Sequence, residues 1–488
     1  MKKEEDMNSK KKGKHTDTWA RTEFGAIDFG DKRLTKRLIQ IADRLSEAPE
    51  FPINQACGRW AETKAAYRFF QNDTVCEKNI LSSHVQQTVE RAKKEKTILV
   101  IQDTSYIVYT GHKKTTGLGM ISEAPGKNVE KVSTHGLIMH TSFAVTTEGL
   151  PIGLLDQHIF SRSYRSEALK EKKRRRRNSD VAIEYKESIR WLNALNKTQE
   201  AVLGSKVHGV TLCDREGDFY ELMEWAHKQA ASVLVRARGD RRINQSSRDC
   251  KTDTRLWSTI HALPSQGIIE VEIPARNQKP ARIAKLETRF GSFRMNPPFH
   301  HMRHKTENLP DLHLNAVYVV ETHPPDGVEA LEWMLLTNLP VTHFDEAVEK
   351  VRWYCLRWRI ETFHKVLKSG LRVEQCRLQT AERLIRYLTV MSIIAWRIYW
   401  TTLIARTHPE TPCTVLLSEE EWKVLYSRIH NIKSYPKKPP PIRDAVRWIA
   451  MLGGFLARKS DGEPGVITLW RGWKRLFDLS EGWNLAHA

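Results

Sequence analysis

The chain has 488 residues, which is enough to bury a large core and to form several domains. Its 78 Lys and Arg residues outnumber its 58 Asp and Glu residues, and the net charge of +20 favours a polyanionic partner, nucleic acid before an anionic membrane surface. Seven scattered cysteines and no apolar N-terminal signal segment argue against a secreted, disulfide-stabilised protein, so we expect a cytoplasmic one.

Two amphipathic helices are predicted near the N-terminus. After a lysine-rich stretch, 1–16, that is too polar to form a core, apolar residues recur at helical spacing from Leu34 to Leu45 with basic residues between them. A second short helix is expected at 61–70, where two alanines and two phenylalanines can pack while Lys64 and Arg68 face outward. Such helices can place cations in the major groove of DNA. The alternative is two surface helices whose charges only aid solubility.

Two apolar runs each end in an aspartate. Residues 98–103 read Ile-Leu-Val-Ile-Gln-Asp, and residues 209–214 read Gly-Val-Thr-Leu-Cys-Asp. Both runs predict short buried strands, and an aspartate at a strand's end can lie at the rim of a sheet and point into a crevice. Each aspartate taken alone could instead form a turn or cap a helix.

The segments around these runs predict an α/β fold. A hairpin is expected from 137–147 and 150–158, joined by Glu148-Gly149. Helices are expected before and after the second aspartate, at 181–196 and 218–229, and a further strand is expected at 232–236. Four consecutive arginines, 174–177, indicate a solvated loop that would contact DNA phosphates without reading sequence.

Residues 241–340 differ in composition from the segments before them. They are dense in Arg, Lys, Pro and His, and β-branched residues alternate at 267–273 and again around 317–321. We interpret this part as an inserted β-domain. It ends in the run 331–337, a predicted strand that carries Trp333, and a tryptophan in a strand is usually a core residue.

The region after residue 371 is predicted to be helical. Its most apolar stretch, 388–405, contains Arg397 and indicates a buried helix rather than a membrane span, which needs about 20 apolar residues. A basic, proline-rich linker follows at 435–441. Beyond it lies an aromatic-rich amphipathic unit that could be ordinary core or an interface, formed by Ile449, Leu452, Phe455, Trp470, Trp473, Leu476 and Phe477.

The segment 354–368 carries a pattern suited to phosphodiester chemistry. At about 100° per residue, four polar side chains fall within roughly 60° on one helix face, namely Tyr354, Arg357, Glu361 and Lys368. An apolar stripe lies beside them, formed by Leu356, Ile360, Phe363 and Leu367. A carboxylate that holds a divalent cation, with Arg and Lys beside it, can bind and hydrolyse a phosphodiester. A solvated charged face is the alternative.

Three carboxylates form a series of strand, strand and helix along the chain. Asp103, Asp214 and Glu361 could together hold two divalent cations about 4 Å apart, one at the attacking and one at the leaving oxygen. With these residues the chain resembles the insertion-sequence-four family of bacterial DDE transposases. The family signature Tyr-x2-Arg-x3-Glu-x6-Lys is complete at 354–368, and Asp103-Thr-Ser and Cys-Asp214-Arg-Glu also look like the family.

The resemblance runs from about Trp19 to the C-terminus and implies a ribonuclease-H-like catalytic core with an inserted β-domain, flanked by N-terminal and C-terminal helical domains. The implied regions are a basic tail and end-recognition domain at 1–75, the core at 76–240 and 341–370, the inserted β-domain at 241–340, and a dimerisation region at 371–488. In the last region, Gly453-Gly454-Phe455 matches the family pattern.

The resemblance also implies roles for single residues. Asp103, Asp214 and Glu361 would hold two Mg²⁺ ions, with Mn²⁺ able to substitute. Trp333 would stack on a base flipped out of the duplex. The full set of residues implied to contact DNA is Tyr354, Arg357, Lys368, Trp333, Arg37, Arg68, Arg236 and Lys365.

The implied activity is cut-and-paste transposition in the bacterial cytoplasm, on chromosomal or plasmid DNA. A homodimer would pair two transposon ends in a synaptic complex, without a membrane. It would then nick one strand, form a hairpin, open the hairpin and join the ends to target DNA. Two alternatives from other classes are a non-catalytic DNA-binding regulator of transposition and a ribonuclease-H-like nuclease.

Overall fold

The protein is described by a computed structural model that covers residues 18–125, 131–162, 181–245, 254–273, 281–298, 301, 303, 306–458 and 461–487. The lysine-rich stretch 1–16 and the arginine run 174–177 lie outside the described residues.

Helices dominate both ends of the described chain, and strands occupy its middle. The helices are α1 Trp19–Phe24, α2 Lys32–Glu47, α3 Ile53–Ala56, α4 Trp60–Gln71, α5 Glu77–Ala92, α6 Ile189–Val202, α7 Tyr220–Lys228, α8 Leu256–His261, α9 Phe344–Cys355, α10 Trp358–Lys365, α11 Ala381–Thr407, α12 Glu419–His430, α13 Ile442–Leu452 and α14 Val466–His487. The strands are β1 Thr97–Val108, β2 Gly119–Pro125, β3 Lys131–Thr146, β4 Pro151–Phe160, β5 His208–Cys213, β6 Ser232–Arg236, β7 Gly267–Ile273, β8 Arg282–Met295, β9 Leu312–Glu321 and β10 Glu332–Thr337.

The described strands form one mixed sheet in the order β2-β3-β1-β5-β6-β10-β9-β8-β7, with β4 paired to β3. The central strands β1, β5 and β6 are parallel, and strand β3 pairs antiparallel with β1. Strands β5 and β6 are buried along almost their whole length. A parallel strand covered on both faces needs a continuous apolar run, and this explains why the sequence predicted both strands correctly.

The strands of 241–340 continue the same sheet. Strand β10 pairs antiparallel with β6 on one side and with β9 on the other, and β8 and β7 follow outward. The segment is rich in strands, as its alternating sequence indicated. Sequence reasoning did not identify β8, in which charged residues alternate with the buried Ala284, Leu286 and Phe290.

The β3–β4 hairpin turns at Glu148-Gly149, as predicted. Gly149 has a φ of +88°, and a Cβ there would lie 2.7 Å from the Cδ2 of Leu356, so only glycine suits the position.

The helix predicted at 181–196 is shifted towards the C-terminus, since α6 begins at Ile189. A 3-10 turn, Ile183–Tyr185, precedes α6.

The two predicted N-terminal helices are present as α2 and α4. Asp31 caps α2 by accepting the N–H of Arg33, and the inner faces of both helices are buried. The unit also packs on the rest of the protein, because Phe70 lies edge-to-face against Tyr387 of α11, with ring centroids 5.8 Å apart.

Helix α11 is a buried helix, as predicted for 388–405. Of the residues that the structure describes, it is the one helix long and apolar enough to cross a membrane, and 89% of its most apolar window is buried in the fold. Its Arg397 lies over the ring of Trp19, 4.9 Å from the centroid.

Helices α13 and α14 cross closely where Gly453 and Gly472 lack side chains, since a Cβ on either would collide with the other helix's backbone.

Candidate active site

Strand β1 is longer than predicted. The sequence suggested that it ends at Asp103, but it continues to Val108 because β3 remains paired beside it, with Asp103 opposite Thr141. On its other side the parallel partner β5 ends at Cys213. Asp103 therefore lies just beyond the last residue of β1 that pairs with β5. The exposed sheet edge that the sequence predicted at the end of β1 forms at this point.

Asp103 and Asp214 lie in matching register. The last paired residues of β1 and β5 are Ile101 and Leu212, and each aspartate follows its paired residue by two positions. Asp214 caps the 3-10 turn Arg215–Gly217 by accepting the N–H of Glu216 at 2.8 Å. Burial raises the pKa of Asp214, and the nearby charge of Asp103 adds to the rise although the Glu216 hydrogen bond opposes it. The fold thus brings these two carboxylates together, and with Arg357 and Glu361 they form the partly buried group of residues that we call the recess.

The signature segment is not the single straight helix that the spacing predicted. Helix α9 ends at Cys355, α10 begins at Trp358, and a π-helical turn, Val366–Gly370, follows. Between α9 and α10 the N–H groups bond to carbonyls three residues back, so the chain tightens there. The four signature side chains therefore do not lie on one regular α-helix, and of the apolar stripe Leu356 is only partly buried.

Arg357 lies among the acidic groups. Its Nη2 donates to Oε1 of Glu361 at 2.8 Å. Burial lowers the pKa of Arg357, but Tyr354, Glu361 and Asp103 more than offset that effect, so the net shift is upward. Arg357 also lowers the pKa of Asp214. One guanidinium, 9% exposed, thus interacts with all three candidate carboxylates.

The donor chemistry of this recess fits a divalent cation. Carboxylate oxygens are the ligands that Mg²⁺ and Mn²⁺ prefer, and two carboxylates that repel each other are stabilised by a cation between them. Among the described residues, no group of three or more acidic, histidine or cysteine side chains lies close enough to hold a metal as placed. Asp103 and Asp214 are aligned, and Oε1 of Glu361 accepts a hydrogen bond from Arg357.

The candidate residues for the flipped base also lie together, but they are covered. Trp333 is 6% exposed and Tyr354 is 2% exposed, and their rings meet edge-to-face with centroids 5.4 Å apart. Arg236 pairs opposite Leu335 in the neighbouring strand, and it interacts with Tyr354. Tyr354 thus connects Trp333 to the cations Arg236 and Arg357.

Two lysines of the set differ in their surroundings. Lys368 donates to the carbonyl of Tyr106 at 2.8 Å and lies 3.6 Å from Oε1 of Glu374, which itself accepts the N–H of Val108. These side chains cover the backbone edge of β1 that β5 leaves unpaired. Lys365, in contrast, is exposed on α10.

Arg37 and Arg68 lie on α2 and α4 of the N-terminal unit rather than in the recess. Arg68 is exposed on the outer face of α4, and Arg37 is partly buried. The same outer face carries Trp60, 78% exposed, and Tyr67, 40% exposed. Sequence reasoning overlooked these aromatic residues, although their i, i+7 spacing, which places both on one side of the helix, could have identified them.

Sequence reasoning also overlooked two residues of the recess. His364 is buried, and its Nδ1 lies 3.5 Å from Oδ2 of Asp103. Its position three residues after Glu361 was the available signal. Trp358 is 43% exposed, and the guanidinium of Arg357 lies 5.2 Å from the centroid of its ring.

Comparison with known families assigns the chain. Residues 16–75 match the transposase DNA-binding family, residues 189–397 match the transposase DDE domain, and residues 393–488 match the transposase Tn5 dimerisation domain. The DDE domain is ribonuclease-H-like, which agrees with the mixed sheet and confirms the predicted fold class. It makes the protein a metal-dependent enzyme that cleaves DNA and transfers strands. The other two matches establish DNA binding and homodimer formation. The chain is therefore a DNA transposase and belongs to the Tn5-like, insertion-sequence-four family of DDE transposases.

Proposed function

We propose that this transposase moves its element by cut and paste, with Asp103, Asp214 and Glu361 as the metal ligands of one active site. The observation that carries the proposal is the matching register of the two aspartates beside Arg357 and Glu361. When bound, two divalent cations, Mg²⁺ with Mn²⁺ able to substitute, would activate the attacking oxygen and stabilise the leaving oxygen. One recess can serve nicking, hairpin formation, hairpin opening and strand transfer, because each is a displacement at phosphorus with a different nucleophile.

Arg357 has two successive roles in this proposal. Without DNA it neutralises Glu361 and offsets the charge of the aspartates. On DNA binding it would turn from Glu361 to a phosphate, since guanidinium groups bind both anions through charge-assisted hydrogen bonds. Glu361 would then be free to act as a ligand. Tyr354, Arg236, Lys365 and Lys368 would contact neighbouring phosphates.

Trp333 would receive the flipped base during hairpin formation. Its ring is covered by Tyr354 in the structure, so the two rings have to separate before a base can stack. An aromatic surface offsets about 1–3 kcal/mol of the stacking that a flipped base loses. Trp358 is exposed next to Arg357 and is a second aromatic group within the same surroundings.

End recognition would reside in region 1–75 and pairing of the two subunits in 371–488. The outer face of α4 supports the first assignment, since Arg68 lies there beside exposed aromatic side chains. The catalytic core would comprise 76–240 and 341–370, with 241–340 inserted. A homodimer would synapse two transposon ends on chromosomal or plasmid DNA in the bacterial cytoplasm.

The proposal is tested with a supercoiled plasmid that carries both ends of the element, incubated with the protein and Mg²⁺. Cut-and-paste transposition predicts an excised fragment whose ends are transiently hairpins, resolved on a denaturing gel. Nicked circles without excision would identify a simple nuclease, and DNA binding without cleavage would identify a regulator. Either result would overturn the proposed steps.

A further inference from the structure

We propose that Arg190 is a positioning residue that holds the Asp103 and Asp214 segments together at the active site. Arg190 is the second residue of α6, and its side chain is 10% exposed. It lies outside the signature segment and was not among the residues that the sequence singled out. The inference rests on the proposed metal site and assigns that site an additional supporting residue.

The guanidinium of Arg190 joins two segments of the recess. Its Nε donates to Oγ1 of Thr104 at 3.0 Å, and its Nη2 donates to Oε2 of Glu216 at 2.9 Å. Thr104 directly follows Asp103 on β1. The N–H of Glu216 is the group that Asp214 accepts. Each contact is thus one step from a candidate metal ligand.

The contacts of Arg190 with Thr104 and Glu216, which we call the clamp, lie where the pairing of β1 with β5 has ended. The backbone pairing of β1 with β5 stops at Ile101 and Leu212, before either aspartate. Beyond that point the strand ladder no longer sets the separation of the two segments. A planar guanidinium with several fixed donors can bridge them and restrict the distance between the carboxylates.

The neighbours of Arg190 limit its freedom to do anything else. Nη1 donates to the carbonyl of Glu187 at 3.2 Å, so all three guanidinium nitrogens have protein partners. Thr104 Oγ1 is also 2.9 Å from Nδ1 of His140, whose ring packs against Trp191. A residue held in this way is arranged to position others rather than to bind a phosphate.

The test measures Mn²⁺ binding to the full-length protein without DNA, by the electron paramagnetic resonance signal of free Mn²⁺. Arg190→Met should weaken Mn²⁺ binding about 10- to 100-fold, the usual effect of removing a partner that orients metal ligands. Arg190→Lys should recover part of the loss, because an ammonium can reach one of the two acceptors. The Mn²⁺ concentration for half-maximal plasmid nicking should rise in parallel.

Lys197→Met is the matched control. Lys197 lies on the same helix, and it pairs with Asp156 of β4 at 3.1 Å rather than with Thr104 or Glu216. Both variants should unfold at similar temperatures, and DNA affinity should be unchanged in each. The double variant Thr104→Val, Arg190→Met should lose less Mn²⁺ affinity than the sum of the two single losses, since both substitutions remove the same Arg190–Thr104 hydrogen bond.

Asp103→Asn separates this inference from the proposed site. If Asp103→Asn abolishes Mn²⁺ binding while a folded Arg190→Met binds normally, the clamp is wrong and the site stands. If Asp103→Asn binds normally as well, the site assignment itself fails. Loss of DNA affinity in Arg190→Met with intact Mn²⁺ binding would make Arg190 a phosphate contact and overturn the inference.

Discussion

The strand-borne half and the helix-borne half of the candidate active site are held in different ways. Asp103 lies on β1 and Asp214 directly follows β5, and the register of these two parallel strands aligns the aspartates before any ligand arrives. Glu361 and Lys368, which the helical segment carries, are instead engaged with other protein groups: an arginine side chain and a backbone carbonyl. The strand half is therefore preformed. The side chains of the helix half already have hydrogen-bond partners within the protein, and they have to exchange these partners when DNA and metal bind.

The difference follows from the interactions available to each half. The ladder between β1 and β5 fixes the backbone just before each aspartate, and that ladder does not change when a ligand binds. Side chains around a helix break and a π-helical turn have more freedom, because the regular backbone pattern is interrupted there. Charged groups in a partly buried recess must also be neutralised before the ligand arrives, which accounts for the contact between Arg357 and Glu361.

The largest expected effect tests whether both halves belong to one catalytic site. Asp103→Asn, Asp214→Asn and Glu361→Gln should each reduce nicking, hairpin formation and strand transfer to background, because each removes a metal ligand. End binding should remain, since no cation is lost. The measurement is a plasmid cleavage time course with Mg²⁺ and with Mn²⁺. Glu200→Gln, at an exposed position of α6, is the control, and strong nicking by any one acidic variant would remove that residue from the site.

The next effect tests whether DNA recognition is separate from both halves. Arg37→Ala, Arg68→Ala and Trp60→Ala should each weaken end binding by about 1–3 kcal/mol, while the cleavage rate of bound DNA stays unchanged. A competition gel shift with true and scrambled ends at two salt concentrations measures the loss. A phosphate contact loses affinity on both duplexes, and a base contact loses it only on the true end. Unchanged discrimination in all three variants would place recognition elsewhere.

A third effect tests whether Trp333 has to leave Tyr354 to act. Trp333→Ala should slow hairpin formation more than first-strand nicking, by about 1–3 kcal/mol. Because Trp333 is nearly buried, alanine would also cost about 3–5 kcal/mol of folding stability. Trp333→Phe keeps an aromatic face and most of the packing, so it should retain most of the hairpin rate. A parallel fall of nicked and hairpin products in both variants would make Trp333 only a core residue.

The smallest expected effect tests whether Arg357 competes with a metal ion for the carboxylate of Glu361. Arg357→Ala should release Glu361, so the DNA-free protein should bind Mn²⁺ a few-fold more tightly than the wild type while it cleaves DNA more slowly. Mn²⁺ titration of the free protein measures the first change and plasmid nicking the second. Adding Glu361→Gln should cancel the gain in metal binding. Weaker Mn²⁺ binding in Arg357→Ala would show that the two groups do not compete.

Sequence by itself determined the elements whose signals are local. Strands β5 and β6 were predicted correctly because strands buried on both faces must be continuously apolar. Helix α4 and the hairpin turn at Gly149 followed equally well, since helical periodicity and a left-handed glycine are read within a few residues. The identities of the candidate ligands and the family also came from the sequence, because spacing within a short signature survives without any tertiary contact.

Tertiary structure alone decided where those residues meet. The extension of β1 past Asp103 depends on β3 remaining beside it, and the opening of the recess depends on β5 ending first. The pairing of β10 with β6 and the reach of Arg190 to Thr104 join residues far apart in the chain. Burial periodicity reports only whether a side chain faces the core, and it carries no information about which partner lies opposite. The packing of the sheet therefore aligns the two aspartates, which lie more than 100 residues apart in the chain.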